Sequence, residues 1–159
     1  MTEPTRRHHR STIASSAAAT EACGATLATE LRPGDVVLLE GDLAAGKTTL
    51  VRGLVRALGG DGDDVDSPTF VLLQTYPCTE RGVTCVHHVD LYRLGEHIGD
   101  LREIGIEEVL SDATAVVSVE WPKNALATWI PPDARVWRIV LTVGADDSRK
   151  IEITPPEAA

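Results

Sequence analysis

Hydrophobic and polar positions change period several times along the chain, and each change marks an expected element. An Ala-rich stretch from about Ser15 to Leu31 predicts a helix that ends before Pro33-Gly34. Asp35–Glu40 is a short apolar run between turn residues, the pattern of a buried strand. After a Gly-bearing loop, Leu50, Leu54, Val55 and Leu58 recur at helical spacing across 48–58. The run 59–64 is a Gly- and Asp-rich loop.

Thr69–Tyr76 predicts a strand stopped by Pro77, and Thr84–Asp90 another. Residues 98–111 predict one or two short helices broken near Gly105. Ala113–Glu120 is a strongly apolar strand ending on a carboxylate, and Asn124–Ile130 predicts a short helix. Arg135–Val143 and Arg149–Thr154 predict a closing strand pair joined by a Gly-Ala-Asp-Asp turn. Strands alternating with helices indicate an α/β fold with a mixed, mostly parallel central sheet flanked by helices and some antiparallel edge.

Composition narrows this to one globular domain. The chain has 159 residues, 43% hydrophobic and 25% charged, and single domains commonly run ~100–200 residues. The expected organisation is a flexible basic tail at 1–12, a domain at 13–155 and a flexible end at 156–159. The tail carries Arg6, Arg7 and Arg10, but 11–20 is too rich in hydroxyls for an export signal. A cytoplasmic location follows. The net charge of −9 argues against a protein that coats nucleic acid, which needs clustered cations. No stretch approaches the ~20 apolar residues of a membrane span.

Cys23, Cys78 and Cys85 show no CxxC spacing. Cys78, Cys85, His87 and His88 lie close in sequence, and Cys85 and His87 would share one strand face. A closed zinc site needs four ligands, usually in tighter pairs, so this spacing does not predict one.

The most informative segment is Gly41-Asp42-Leu43-Ala44-Ala45-Gly46-Lys47-Thr48, which fits G-x-x-x-x-G-K-[ST] between an expected strand and an expected helix. A polyphosphate concentrates negative charge, and such a loop answers with backbone N–H groups and a helix N-terminus. Lys47 adds a mobile cation, and the Thr48 hydroxyl suits a phosphate-bound magnesium ion. A phosphate loop also needs a metal-holding acid and a group to orient the nucleophile. Asp90 and Glu120 close expected strands, where ligands of open α/β sheets bind. In Ser67-Pro68-Thr69 the rigid Pro leaves a hydroxyl before a strand, although spacing alone reads as an ordinary loop.

Guanine-nucleotide readers carry Asn-Lys-x-Asp, whereas Lys123-Asn124 has the reverse order. No LSGGQ-like transporter signature occurs. A kinase lid needs arginines, yet 96–120 holds seven carboxylates against Arg102 alone.

Four blocks in order carry a resemblance: 41–49, Ser67-Pro-Thr-Phe70, His87-His-Val-Asp-Leu-Tyr-Arg-Leu94 and Glu120-Trp-Pro122. With the looser Gly105-Ile-Glu-Glu108, they make the chain similar to the TsaE (YjeE) family of bacterial tRNA threonylcarbamoyladenosine synthesis. The resemblance covers about residues 34–122. It implies a P-loop NTPase domain with one ATP site using Mg2+, in which Lys47, Thr48 and Thr49 are loop residues. Thr69 is implied to be switch-like, Asp90 and Glu120 to serve magnesium or catalysis, and Trp121 to lie near the nucleotide.

The family's members are weak ATPases working with TsaB and TsaD, which modify adenosine 37 of ANN-decoding tRNAs. Contact with tRNA would be indirect, and the acidic stretch 96–112 is a candidate docking face. The chain departs from the family at Ala44, where Gly is usual. A small-molecule kinase and a nucleotide-gated binding module without efficient hydrolysis stand as alternatives.

Overall fold

The computed structural model describes residues 9–42, 44–65, 73–92 and 98–157. Its strands are β1 (Arg10–Ala14), β2 (Val36–Gly41), β3 (Leu73–Pro77), β4 (Cys85–Asp90), β5 (Ala115–Glu120), β6 (Val136–Val143) and β7 (Arg149–Thr154). Its helices are α1 (Ala17–Ala28), α2 (Lys47–Ala57), α3 (Ile98–Glu103) and α4 (Ile106–Leu110), with short 3-10 turns at Gly62–Asp64 and Asn124–Thr128. The strands form one sheet ordered β1-β7-β6-β2-β5-β4-β3.

The centre of this sheet is parallel and its edges are antiparallel. β2 pairs parallel with β5 and β6, and β4 with β5. β3–β4, β6–β7 and β1–β7 pair antiparallel. The two central strands paired parallel on both sides or buried throughout, β2 and β5, are the near-continuous apolar runs of the sequence, as burial on both faces requires. In β5 every residue is buried, the terminal Glu120 included.

Strand alternation divides the core into two layers. Val37, Leu39, Val86, Val116 and Ile139 pack against Leu27 of α1 and Leu50 and Leu54 of α2. Val36, Leu38, Val89, Val117 and Val119 pack against Leu101, Ile106 and Val109 of α3 and α4.

Helix α1 starts at the Ser16 cap, whose Oγ accepts from Ala19 N at 3.1 Å. Its small residues admit α2 very closely. A Cβ on Gly53 would lie 1.8 Å from the Glu21 carbonyl oxygen, and one on Gly24 2.0 Å from that of Leu50. This contact fixes where the first residue of α2, Lys47, meets the ends of the strands.

Two expectations change. Arg10–Ala14 is a strand paired with β7 along its whole length, so residues 10–12 belong to the sheet and not to a flexible tail. Its pattern is unreadable because only Ala14 is buried and edge pairing is carried by backbone. The expected strand at Thr69–Tyr76 is described from Leu73 and extends through Pro77, which an edge strand tolerates at its end. Among the described residues, no helix is long and apolar enough to cross a membrane.

Candidate functional site

The chain leaves β2 at Gly41 and enters α2 at Lys47, so the loop sits at the carboxyl end of a central parallel strand. Glycines are required at both loop ends. A Cβ on Gly41 would meet the Leu141 carbonyl oxygen at 2.6 Å, and Gly46 has φ +102°. Ala44 also adopts the left-handed region, with φ +62°, but carries a methyl group. Its carbonyl accepts from Arg149 Nη2 at 3.2 Å, which ties the loop to β7.

The Lys47 ammonium folds back along the loop. Nζ donates to the carbonyls of Gly41 and of Asp42, the latter at 3.1 Å, and lies 3.9 Å from the Trp121 ring centroid. Burial pushes this ammonium below its ordinary value, while Glu120, Asp90 and Asp42 oppose the shift. Trp121 itself has φ +57°, and its ring lies tilted against that of Tyr92 with the centroids 4.9 Å apart. Its backbone N–H donates to the Leu39 carbonyl at 3.1 Å, holding the residue after β5 against β2.

Asp90 and Glu120 end neighbouring parallel strands and are register partners. Thr48 Oγ1 donates to Glu120 Oε2 at 3.0 Å, joining the first turn of α2 to the end of β5. The same oxygen meets Nε2 of fully buried His88. Asp90 Oδ1 accepts from Tyr92 N at 2.9 Å. Burial holds the Asp90 carboxyl above its ordinary value. The Tyr92 N–H opposes that, Glu120 adds to it, and His88 and Lys47 oppose it. Two crowded carboxylates and a hydroxyl form a hard-oxygen donor set, which suits Mg2+.

The structure thus brings together Gly41, Asp42, Ala44, Ala45, Gly46, Lys47, Thr48, Asp90, Glu120 and Trp121, with Thr49 next on α2. Leu43 and Thr69 lie outside the described residues. His88, weighed from the sequence only as one of four close Cys and His residues, belongs instead with Glu120, and Arg149 carried no sequence expectation. His88 was findable, since alternation along β4 sets it on the face of Asp90. Arg149 reaches the loop from more than 100 positions away in sequence, with no local signal.

A family model described as "Threonylcarbamoyl adenosine biosynthesis protein TsaE" matches residues 14–151. The chain is 41% identical over 133 residues to the tRNA threonylcarbamoyladenosine biosynthesis protein TsaE of Streptomyces coelicolor, covering 82% of this chain and 86% of that one. It is 38% identical over 135 residues to the protein of that name from Nostoc, covering 83% and 77%. Among solved structures it is similar to the crystal structure of YdiB from Bacillus subtilis. There the TM-score is 0.69, the identity 25%, and the coverage 97% of this chain and 89% of that one.

Proposed function

Since the chain belongs to the TsaE family of threonylcarbamoyladenosine biosynthesis proteins, we infer that it is a weak, magnesium-dependent ATPase whose turnover depends on partners. Those partners are TsaB and TsaD, it acts with them in the cytoplasm, and tRNA is engaged through them. The observation that carries this reading is the hydrogen bond from Thr48 Oγ1 to Glu120 Oε2, with Lys47 and Asp90 beside it.

In this reading the amides of 41–48 hold the phosphates, and Lys47 leaves its loop carbonyls to meet the outer ones. Thr48, Glu120 and Asp90 would hold Mg2+, which neutralises charge on the phosphates when bound. One of the two carboxylates orients the attacking water. His88 fixes the Glu120 carboxylate, and Trp121 limits how far the Lys47 ammonium can swing. Thr69 senses the γ-phosphate and relays its loss to the partner surface.

The test is ATP turnover by the purified chain, alone and with TsaB and TsaD, in wild type and Lys47→Ala. The expected result is slow hydrolysis that rises with the pair and vanishes in Lys47→Ala. Hydrolysis indifferent to the pair overturns the partner dependence. Phosphate transfer to a small acceptor favours a kinase, and nucleotide-dependent capture without turnover favours a gated binding module.

A further inference from the structure

A second group of chemically active side chains lies at the other end of β4, on its other face. Cys85 and His87 share a strand face with Val89, which packs on the α4 side, whereas His88 and Asp90 face α2. Cys85 is five residues from Asp90, about 17 Å along a strand. Asp112, just past α4, brings Oδ2 to 3.0 Å from His87 Nε2. Cys85 Sγ is 3.6 Å from that same nitrogen. The three donor atoms all lie within 4.8 Å of one another.

The outer halves of these side chains are held in place. His87 Nδ1 is 2.9 Å from the hydroxyl of Thr75, its register partner on β3. Asp112 Oδ1 accepts from Thr114 N at 3.1 Å and from Thr114 Oγ1 at 2.7 Å. This leaves Sγ, Nε2 and Oδ2 converging on one point.

Two chemistries use a Cys, a His and an Asp together, and the geometry separates them. A nucleophile relay needs the thiol at one ring nitrogen and the carboxylate at the other. Here both approach Nε2, so no proton can pass from sulfur through the ring to the carboxylate. Metal coordination needs convergence on a single point. Zinc bonds of ~2.0–2.3 Å at tetrahedral angles set donor separations near ~3.3–3.6 Å, close to two of the spacings found here. Cys78, by contrast, is buried in the core on the α2 side, and His88 is directed at Glu120. A four-ligand Cys/His site is therefore not assembled.

We propose that Cys85, His87 and Asp112 form a binding site for a zinc-class divalent ion, with three protein ligands and solvent in the fourth position. The donor set mixes sulfur, imidazole and carboxylate, which such a borderline-soft ion accepts. The side chains of His87 and Asp112 are 13% and 31% exposed, so an ion and a water can reach them. Coordination at Nε2 puts the remaining ring proton on Nδ1, which then donates to Thr75 Oγ1 and fixes the ring. The site is independent of the nucleotide reading.

The test uses the full chain, metal-free and without an affinity tag, titrated with Co2+ and then Zn2+. One equivalent of Co2+ is expected to give thiolate-to-cobalt charge-transfer absorption that Zn2+ abolishes. Cys85→Ser removes the band, and Asp112→Asn removes it or weakens binding. Thr75→Val, which takes away the ring's hydroxyl partner, weakens binding by about 10-fold or more. Lys47→Ala leaves the titration unchanged.

The thermal unfolding of each variant without metal shows that it is folded. Should Cys85→Ser fail that check, Asp112→Asn decides. No charge-transfer band in the wild type overturns the proposal. So does Zn2+ uptake in folded Cys85→Ser equal to that of wild type, which would place the ion elsewhere, for example on His8 and His9.

Discussion

Replacing Glu120 by Gln separates a metal-site role from a purely structural one. The change keeps shape and volume, which matters at a position only 3% exposed. The amide oxygen can still accept from Thr48 Oγ1, now 3.0 Å from a carboxylate oxygen. A hydrogen bond to a charged group contributes ~1.5–3 kcal/mol and a neutral one ~0.5–1.5, so with the Thr48 and His88 contacts both weakened stability falls by about 2 kcal/mol. Losing the charge beside its register partner Asp90 offsets part of that. The unfolding temperature should therefore move by less than ~8 °C.

Magnesium-dependent binding should respond far more. A bound divalent ion loses a charged donor, and the ~1.5–3 kcal/mol of one charge-assisted contact corresponds to about 10- to 150-fold in affinity. The assay is titration calorimetry with a non-hydrolysable ATP analogue, in Mg2+ and in EDTA, for wild type and Glu120→Gln. The ratio of the two affinities should collapse by that factor in the variant, with the EDTA value little changed. A folded variant whose ratio stays within about twofold of wild type would refute the assignment of Glu120 to the metal, since this lies well below the expected factor.

Ala44→Gly relieves a left-handed alanine, φ +62°, and lets the loop amides approach phosphate. Nucleotide affinity or turnover should rise about 2- to 5-fold, and unchanged kinetics in both would sink the idea. Gly53→Ala drives a methyl to within 1.8 Å of the Glu21 carbonyl oxygen. Overpacking of ~1–3 kcal/mol exceeds the helix-propensity gain of ~1 kcal/mol, so calorimetry should show a lower unfolding temperature; an unchanged or higher one contradicts the packing. For Asp90, a raised folded pKa means that the protonated form fits the fold better. That stability is full below the ordinary carboxylate value and is lost as pH rises through the folded value. Without nucleotide, Asp90→Asn should therefore unfold above wild type at neutral pH and converge with it in acid; the opposite trend on a pH series of melts defeats the reading.

The parts legible in the sequence are those whose cause is local. The buried run before Gly41, the loop spacing and the helical period at Leu50, Leu54 and Leu58 each lie within one short window. β5 was legible because burial on both faces leaves a single polar residue, Ser118, before Glu120. What escaped is set by distant chain. Arg10–Ala14 becomes a strand because β7 offers it an open edge. Trp121 reads as a core aromatic by composition, yet its positive φ and its seat beneath Lys47 come from the turn after β5. Asp112 reads as one more carboxylate of a solvated acidic stretch until α4 carries it to His87.

β4 shows how alternation lets one strand supply two separate chemistries. His87 and His88 are adjacent in sequence and opposite in direction. His88 packs inward under Glu120 and so belongs to the oxygen-rich end, where hard cations and phosphate fit. His87 turns to the α4 face with Cys85, where a sulfur donor favours a softer ion. A slip of one residue in the β4–β5 register would exchange the two faces, burying Cys85 and His87 under α2 and removing Asp90 from Glu120. The apolar residues Val86 and Val89, on opposite layers of the core, oppose that slip. The native register therefore keeps Asp90 beside Glu120, and it also keeps the Cys85 thiol away from both carboxylates.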